Sequence, residues 1–97
     1  MSLIHYENDF DSLIKERAVV DFYATWCRPC KMFGPIFEEL SEDSDINFVK
    51  LDVDKNEDIA RKYGVMTIPT VILFENGEEV KKHIGLMNKE ELEEFIK

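Results

Sequence analysis

Residues 18–32 read AVVDFYATWCRPCKM, and this stretch decides the fold class. Its first seven residues are almost continuously apolar, which is typical of a central strand covered on both faces. The rest predicts the start of a helix that ends near Glu42, with Glu38, Glu39 and Glu42 facing water. The inward stripe of this helix consists of Cys30, Phe33, Gly34, Phe37 and Leu40. A buried strand that leads directly into an amphipathic helix indicates an α/β domain.

The patterns on either side of this stretch alternate between strand-like and helix-like periods. Asn76-Gly77 lies between two strand-like runs and is a strong signal for a tight hairpin. Gly64 is placed to end a short helix, and Asn88 with Glu91 forms a capping-box pattern at the start of the last helix. We predict strands at about 3–6, 18–24, 46–53, 70–74 and 79–84, and helices at about 10–14, 28–42, 57–63 and 89–96. This βαβαβαββα order predicts a mixed sheet of four or five strands with helices on both faces.

The first predicted helix is short and has an apolar stripe made of Phe10, Leu13 and Ile14. Asn8 and Asp9 precede it, and both residue types are favoured as N-caps. We therefore expect one of these two side chains to cap the helix.

The composition excludes several classes of protein. The 97 residues form one predicted domain, 1–97, and carry 12 Lys and Arg against 21 Asp and Glu, for a net charge of −9. This charge disfavours binding to nucleic acids or to anionic membranes, and no apolar run approaches the roughly 18 residues of a membrane span. The N-terminal residues lack the basic and apolar regions of a signal peptide. We expect a monomer in a reducing cytoplasm.

Cys27 and Cys30 lie where the predicted central strand ends and the helix begins. We expect Cys27 at the first helical position, where free backbone N–H groups and the helix dipole favour a thiolate. Three residues complete about one turn, so Cys30 returns beneath Cys27 and one sulfur stays exposed while the other is shielded. Pro29 has no N–H and fits the first turn. The spacing therefore predicts a rigid redox-active dithiol.

The alternative for this spacing is half of a zinc site. A structural zinc ion takes four ligands, and the other candidates are His5 and His83. Both histidines lie in strand-like segments without ligand-like spacing to each other. We therefore favour redox chemistry and predict no bound metal.

At this point the chain resembles the thioredoxin family over nearly its whole length. The dithiol stands together with an aspartate in the preceding strand, an Ile-Pro-Thr segment and a late hairpin, in the order and spacing of that family. The matching segments are DFYATWCRPCKM at 21–32, KLDVD at 50–54, YGV at 63–65 and IPT at 68–70, with Pro35, Phe74, Asn76, Gly77 and Gly85.

The resemblance implies the thioredoxin fold and a thiol–disulfide oxidoreductase that reduces protein disulfides. Cys27 corresponds to the nucleophile and Cys30 to the resolving cysteine. No bound cofactor is implied, because the reversible disulfide is itself the redox group. The implied partners are disulfide-containing proteins and a thioredoxin reductase, an NADPH-dependent flavoprotein, that recharges the dithiol.

Asp21 lies within the apolar run VVDFY, where a buried carboxylate costs several kcal/mol unless it is paired or protonated. Val19 and Tyr23 share its face of the strand and argue against the alternative that Asp21 is exposed. Desolvation should raise the pKa of Asp21, which suits a group that accepts the proton of Cys30. The resemblance suggests Lys50 as its partner, whereas a lysine that snorkels to solvent is the alternative.

The resemblance also implies a substrate-binding rim. Ile68-Pro69 corresponds to the family's cis-proline loop, which lies against the dithiol and pairs with the substrate backbone. The alternative is that Pro69, which has no N–H, only begins the next strand. Trp26, Ile68 and Leu86 are expected to form an apolar rim that docks the substrate, although each of them could instead belong to the core.

Arg28 departs from the family, which usually has glycine between the first cysteine and the proline. A guanidinium about 7 Å from the Cys27 sulfur favours the thiolate by roughly 0.6–2.4 kcal/mol, depending on the effective dielectric constant. An exposed arginine side chain should fall toward the lower end of this range because solvent and salt screen its charge. A stabilised thiolate favours the reduced form, so we expect a site about 10–30 mV more oxidising than its Arg28→Gly variant. The alternative is a solvated arginine that affects only the choice of substrate.

Two other functions remain open at this stage. Arg28 would favour a dithiol oxidase or isomerase, which the lack of an export signal disfavours. A non-enzymatic binding module would be expected to lose the cysteines or Pro69, and this chain has all three. Residues 22–37 contain no acid and two bases, Arg28 and Lys31, so the sequence around the dithiol is mildly positive within an acidic chain.

Overall fold

The computed structural model of the protein describes residues 3–97. In this range the chain forms five strands and four helices in the predicted βαβαβαββα order. The strands are β1 (Leu3–His5), β2 (Ala18–Tyr23), β3 (Asn47–Asp52), β4 (Thr70–Glu75) and β5 (Glu78–Ile84). The helices are α1 (Phe10–Leu13), α2 (Arg28–Ser41), α3 (Glu57–Lys62) and α4 (Lys89–Phe95). The bounds lie within one or two residues of those predicted.

The strands form a mixed five-stranded sheet in the order β1-β3-β2-β4-β5. β1, β2 and β3 pair in parallel, whereas β4 pairs antiparallel with both β2 and β5. β2 is the central strand, and its residues are buried up to Phe22, as its apolar sequence predicts. The mixed α/β fold that the sequence predicted is confirmed.

Side chains of β2 alternate between two cores because successive strand residues point to opposite faces. Val20 and Phe22 pack into a core with α1 and α3, around Phe10 and Phe74. Val19 faces the other core, which is built from four other elements by Phe33, Phe37, Leu40, Phe48, Val71, Leu73 and Leu92. Asp21 follows Val19 by two residues and therefore faces this second core, beneath α2.

Turn and cap residues act largely as the sequence predicted. Asn76 and Gly77 adopt φ values of 54° and 83°, the left-handed pair that a two-residue hairpin requires. Asn88 and Glu91 form a complete capping box at α4. Gly64 has φ 68° just after α3.

The cap of α1 differs from the expectation. Asp9 is at the N-cap position, but its side chain makes no capping hydrogen bond and its own φ is 62°. The left-handed backbone turns the chain sharply from β1 into α1, whereas a side-chain cap usually requires an extended backbone at this position. A single helical turn is held here by the burial of Phe10 and Ile14.

Candidate functional site

Cys27 lies at the predicted junction of β2 and α2, but at the N-cap position rather than at the first helical position expected for it. It is the N-cap residue of α2, with an extended backbone (φ −87°, ψ 115°), and the helix begins at Arg28. The Cys27 Sγ accepts a hydrogen bond from the Cys30 backbone N–H at 3.2 Å. The sulfur thus occupies the place of a capping oxygen and satisfies one of the free N–H groups of the helix. Any negative charge that develops on this sulfur faces the positive end of the helix dipole.

The two cysteines form a disulfide with a Cα–Cα separation of 5.2 Å. Cys27 is 4% exposed and Cys30 is 5% exposed, so the expected contrast between an exposed and a shielded cysteine is absent in this oxidised form. The reason is that Cys27 packs in a small cluster with Ala24 and Cys30, against the partly buried Ile68. A substrate must therefore reach the disulfide through the small part of its surface that is exposed.

The Ile68-Pro69 peptide bond is cis, and this loop lies against the dithiol. The Ile68 carbonyl oxygen is 3.8 Å from the Cys27 Sγ. Pro69 is buried directly before β4, and its carbonyl accepts a hydrogen bond from the Gly85 N–H at 2.8 Å. The two interpretations of Pro69 are therefore compatible, because Pro69 directly precedes β4 while Ile68, on the other side of the cis bond, lies against the dithiol.

Two members of the expected apolar rim lie on the surface rather than in the core. Trp26 is 69% exposed and Leu86 is 43% exposed, and Ile68 is partly buried. The Trp26 indole N–H donates a hydrogen bond to the Asp54 carboxylate at 2.7 Å. Sequence reasoning gave Asp54 no role, although it lies in the KLDVD segment that carried part of the family resemblance. The Asp54 carboxylate adds negative charge beside the indole. The sequence segment around the dithiol contains no acid and therefore did not show this charge.

Asp21 is fully buried, so the alternative of an exposed strand residue is excluded. Among the described protein groups, neither of its carboxylate oxygens has a hydrogen-bonding partner. Burial raises its pKa from 3.8 to about 7, the nearby Lys50 ammonium opposes this rise, and the Glu38 carboxylate adds to it. The side chain is therefore a carboxyl group that can gain or lose a proton near neutral pH.

Lys50 does not form the expected ion pair with Asp21. Its ammonium lies 3.0 Å from the Glu38 carboxylate and 5.0 Å from the centre of the Tyr23 ring. The lysine side chain is only 14% exposed, so it is not a freely solvated snorkelling lysine either. Glu38 was expected to face water, whereas it is half-buried and holds this ammonium. Glu38 is far less buried than Asp21, and burial favours the neutral form of Asp21.

Arg28 and Pro29 occupy the first two positions of α2 and are both exposed. The guanidinium is therefore close to Cys27 in the chain but in contact with solvent, where charge interactions are weakened. Pro35, inside α2, has no N–H to donate to the Lys31 carbonyl.

The geometry argues against a shared zinc site with the histidines. His5 lies on β1 and His83 on β5, and these strands are the two opposite edges of the sheet. Within residues 3–97, no three His, Cys, Asp or Glu side chains are grouped to hold a metal ion. The same range contains no helix that is long and apolar enough to cross a membrane.

A family model described as Thioredoxin matches residues 2–97. The chain belongs to the thioredoxin family. The thioredoxin of Staphylococcus epidermidis is 50% identical over 93 residues, which are 93% of this chain and 89% of that protein. The thioredoxin of Mycoplasmoides gallisepticum is 46% identical over 100 aligned residues that cover both chains completely.

Solved thioredoxin structures show the same fold. A mutant thioredoxin from Halobacterium salinarum has a TM-score of 0.91 at 35% identity, over 98% of this chain and 88% of that one. The reduced Schistosoma mansoni thioredoxin pre-protein has a TM-score of 0.89 at 45% identity, over 99% and 96% of the two chains. Membership in the family confirms a thiol–disulfide oxidoreductase of protein disulfides. Its redox group is the Cys27–Cys30 disulfide, and proteins of this family use no bound cofactor.

The raised pKa of Asp21 predicts a pH-dependent effect of the Asp21→Asn substitution. Between pH 4 and pH 7 the folded protein holds a proton that the unfolded chain has released, so the free energy of unfolding falls as pH rises. Because Asn cannot ionise, the free energy of unfolding of the variant does not fall with pH for this reason. Urea unfolding of the oxidised proteins should show the variant gaining about 3–4 kcal/mol relative to wild type between pH 4 and pH 8.

The control is Asp45→Asn, which removes an exposed carboxylate. Its difference from wild type should stay nearly constant over the same pH range. A constant difference for Asp21→Asn would contradict a strongly raised pKa.

Proposed function

We propose that Cys27 and Cys30 reduce protein disulfides in two exchange steps with distinct roles. The Cys27 thiolate attacks one sulfur of the substrate disulfide, which breaks that bond, releases one substrate thiolate and forms a mixed disulfide. The Cys30 thiol then loses its proton, and its sulfur attacks the Cys27 sulfur. This second step forms the Cys27–Cys30 disulfide and releases the other substrate thiolate. Two electrons pass to the substrate, whose thiolates take up two protons.

The observation that carries this proposal is the contact between the Cys27 sulfur and the start of α2. The Cys30 N–H donates to that sulfur at 3.2 Å, and a hydrogen bond of this kind strengthens when the sulfur is negatively charged. The same environment favours Cys27 as the nucleophile, because a helix N-terminus stabilises a thiolate. Cys30 lies within the first turn of α2, without such a place at the helix end.

Asp21 is the proposed acceptor of the Cys30 proton. A general base is most effective when its pKa lies near the working pH, and burial brings Asp21 to about 7. An ordinary surface aspartate with a pKa near 4 would be a much weaker base for a thiol. Transfer directly or through one water molecule is compatible with its position beneath α2.

The proposed docking rim for the substrate consists of Trp26, Ile68, Pro69 and Leu86. Exposure of Trp26 and Leu86 supports this role, because each is a large apolar side chain left in contact with water. The Ile68 carbonyl beside Cys27 supports pairing with the substrate backbone at the reacting sulfur.

Reduction of the disulfide by a thioredoxin reductase is general in the family. We propose an NADPH-dependent flavoprotein as the enzyme that serves this chain. A cytoplasmic location stays a prediction. The alternative function as a dithiol oxidase or isomerase depends on Arg28 alone. The redox potential of the Arg28→Gly variant tests this alternative.

Cys30→Ser is expected to separate the two chemical steps. The variant keeps the Cys27 nucleophile but cannot resolve the mixed disulfide, because a serine hydroxyl does not take part in thiol–disulfide exchange. Insulin-disulfide reduction should fall to background while one molecule of a disulfide substrate becomes covalently bound, as mass spectrometry can measure. Wild-type protein that binds insulin without reducing it would favour a binding module instead.

Arg28→Gly should make the dithiol more reducing by about 10–30 mV, since it removes a cation that favours the thiolate. Equilibration with glutathione buffers of defined potential measures the change. Lys31→Gln is a matched control, as it removes an exposed cation that is one turn further along α2. An Arg28→Gly potential equal to or more oxidising than that of wild type would contradict the electrostatic role of Arg28.

A further inference from the structure

A groove of about 310 Å³ runs beside Cys30, between α2 and the end of the sheet. Gly34, Glu38 and Lys50 contribute to its wall together with Cys30. A Cβ atom on Gly34 would lie 3.4 Å from the Lys50 ammonium, so this position of α2 lies directly against the ion pair. The resolving cysteine and the half-buried Lys50–Glu38 ion pair thus line the same solvent-accessible groove.

The pairing of Lys50 with Glu38 is notable because the sheet places Lys50 next to Asp21. The two residues are register partners in the parallel pair of β2 and β3. Neighbouring strands lie about 4.8 Å apart, and paired residues point to the same face. The lysine side chain nevertheless extends past Asp21 to the Glu38 carboxylate on α2.

Asp21 is consequently left among few charged groups. On β3 the nearby cation is Lys50, α2 contributes the Glu38 carboxylate, and β2 contributes the Tyr23 hydroxyl group. On β4 the register partner is Val71, which is apolar and fully buried. Within residues 3–97, the cation that acts on Asp21 is Lys50, and Glu38 holds this cation in an ion pair. Burial without such a pair agrees with the raised pKa of Asp21.

We propose that Glu38 is a positioning residue for the proton transfer: it holds Lys50 at the groove and so leaves Asp21 without a direct ionic partner. Asp21 then takes the proton of the Cys30 thiol during the second exchange step and releases it to water in the groove. Neither Glu38 nor Lys50 gains or loses a proton in this sequence. This inference rests on the proposed role of Asp21 as the base.

A directly paired Asp21 would serve less well as a base. An opposite charge within hydrogen-bonding distance lowers the pKa of a carboxyl group by about 1–3 units. The carboxylate would then be present over a wider pH range but would hold a proton more weakly. Proton transfer from a thiol is most effective when the acceptor is matched to the working pH, and the placement of Lys50 preserves this match.

Glu38→Gln tests the proposal directly. The substitution keeps the size of the side chain, removes its charge and frees Lys50 to turn toward Asp21. In the oxidised protein, the titration midpoint of the Asp21 carboxyl carbon, followed by ¹³C NMR, should fall by about one pH unit. Glu39→Gln is the matched control, because Glu39 is the next residue of α2 but pairs with the exposed Lys89 at 2.9 Å. An Asp21 midpoint that is the same in the two variants would overturn the proposal.

A double-mutant cycle shows whether Glu38 acts through Lys50. Lys50→Gln alone should raise the Asp21 midpoint, because it removes the nearby cation. In that background, Glu38→Gln should lower the midpoint by less than half as much as in wild type, because no ammonium remains to be released. Equal decreases in both backgrounds would mean that Glu38 acts by its own charge alone, and would overturn the positioning role.

The rate of the second exchange step separates this inference from the proposed function. In Glu38→Gln, the acidic limb of the pH–rate profile of this step should shift to lower pH together with the Asp21 midpoint. Glu39→Gln should leave this limb unchanged. A midpoint that falls without any change in the rate profile would overturn Asp21 as the base, while the effect of Glu38 on Lys50 would stand. A midpoint that stays constant would overturn the effect of Glu38, whatever the rate does.

Discussion

The burial of one carboxyl group in the central strand is the constraint on which the rest of the site depends. β2 must be apolar to lie between two cores, and Asp21 interrupts it without a hydrogen-bonding partner among the described protein groups. Such a group is costly to bury when ionised, so the fold contains a local instability that increases with pH.

The chain's path from β2 to α2 connects this carboxyl group to the dithiol. The strand that buries Asp21 ends four residues before Cys27, and the helix that follows covers the same face of the sheet. One continuous segment thereby supplies the buried carboxyl group, the sulfur at the helix N-terminus and the resolving cysteine. Glu38, further along the same helix, holds the cation that would otherwise neutralise Asp21. The stability lost by burying Asp21 is thus connected to the transfer of the Cys30 proton, which the second exchange step needs.

Much of this arrangement could be predicted from sequence, because local patterns determine it. The apolar run of β2, the spacing of Cys27 and Cys30 and the Asn76-Gly77 turn each depend on a few adjacent residues. The burial of Asp21 could also be predicted, since its neighbours on the same strand face are apolar or aromatic. Assignment of the Ile68-Pro69 loop to the site required the family resemblance, as local sequence explains Pro69 equally well as the start of a strand.

Contacts between distant residues could not be predicted in the same way. The pairing of Lys50 with Glu38 rather than with Asp21 depends on how deeply each carboxyl group is buried in the folded protein. The hydrogen bond from Trp26 to Asp54 joins residues 28 positions apart. The N-cap position of Cys27 was not predicted either, because it depends on a cysteine sulfur that caps the helix in the way an oxygen does.

The most direct test of this account is the rate of the second exchange step in Asp21→Asn, measured in single turnovers with a disulfide substrate at pH 7. Loss of a general base typically costs a factor of about 10²–10⁴, so this step should slow by at least about 100-fold. Alkylation of Cys27 in the reduced protein, measured in parallel, should change far less. An unchanged rate for the second step would contradict the claim that the buried carboxyl group accepts the proton of Cys30.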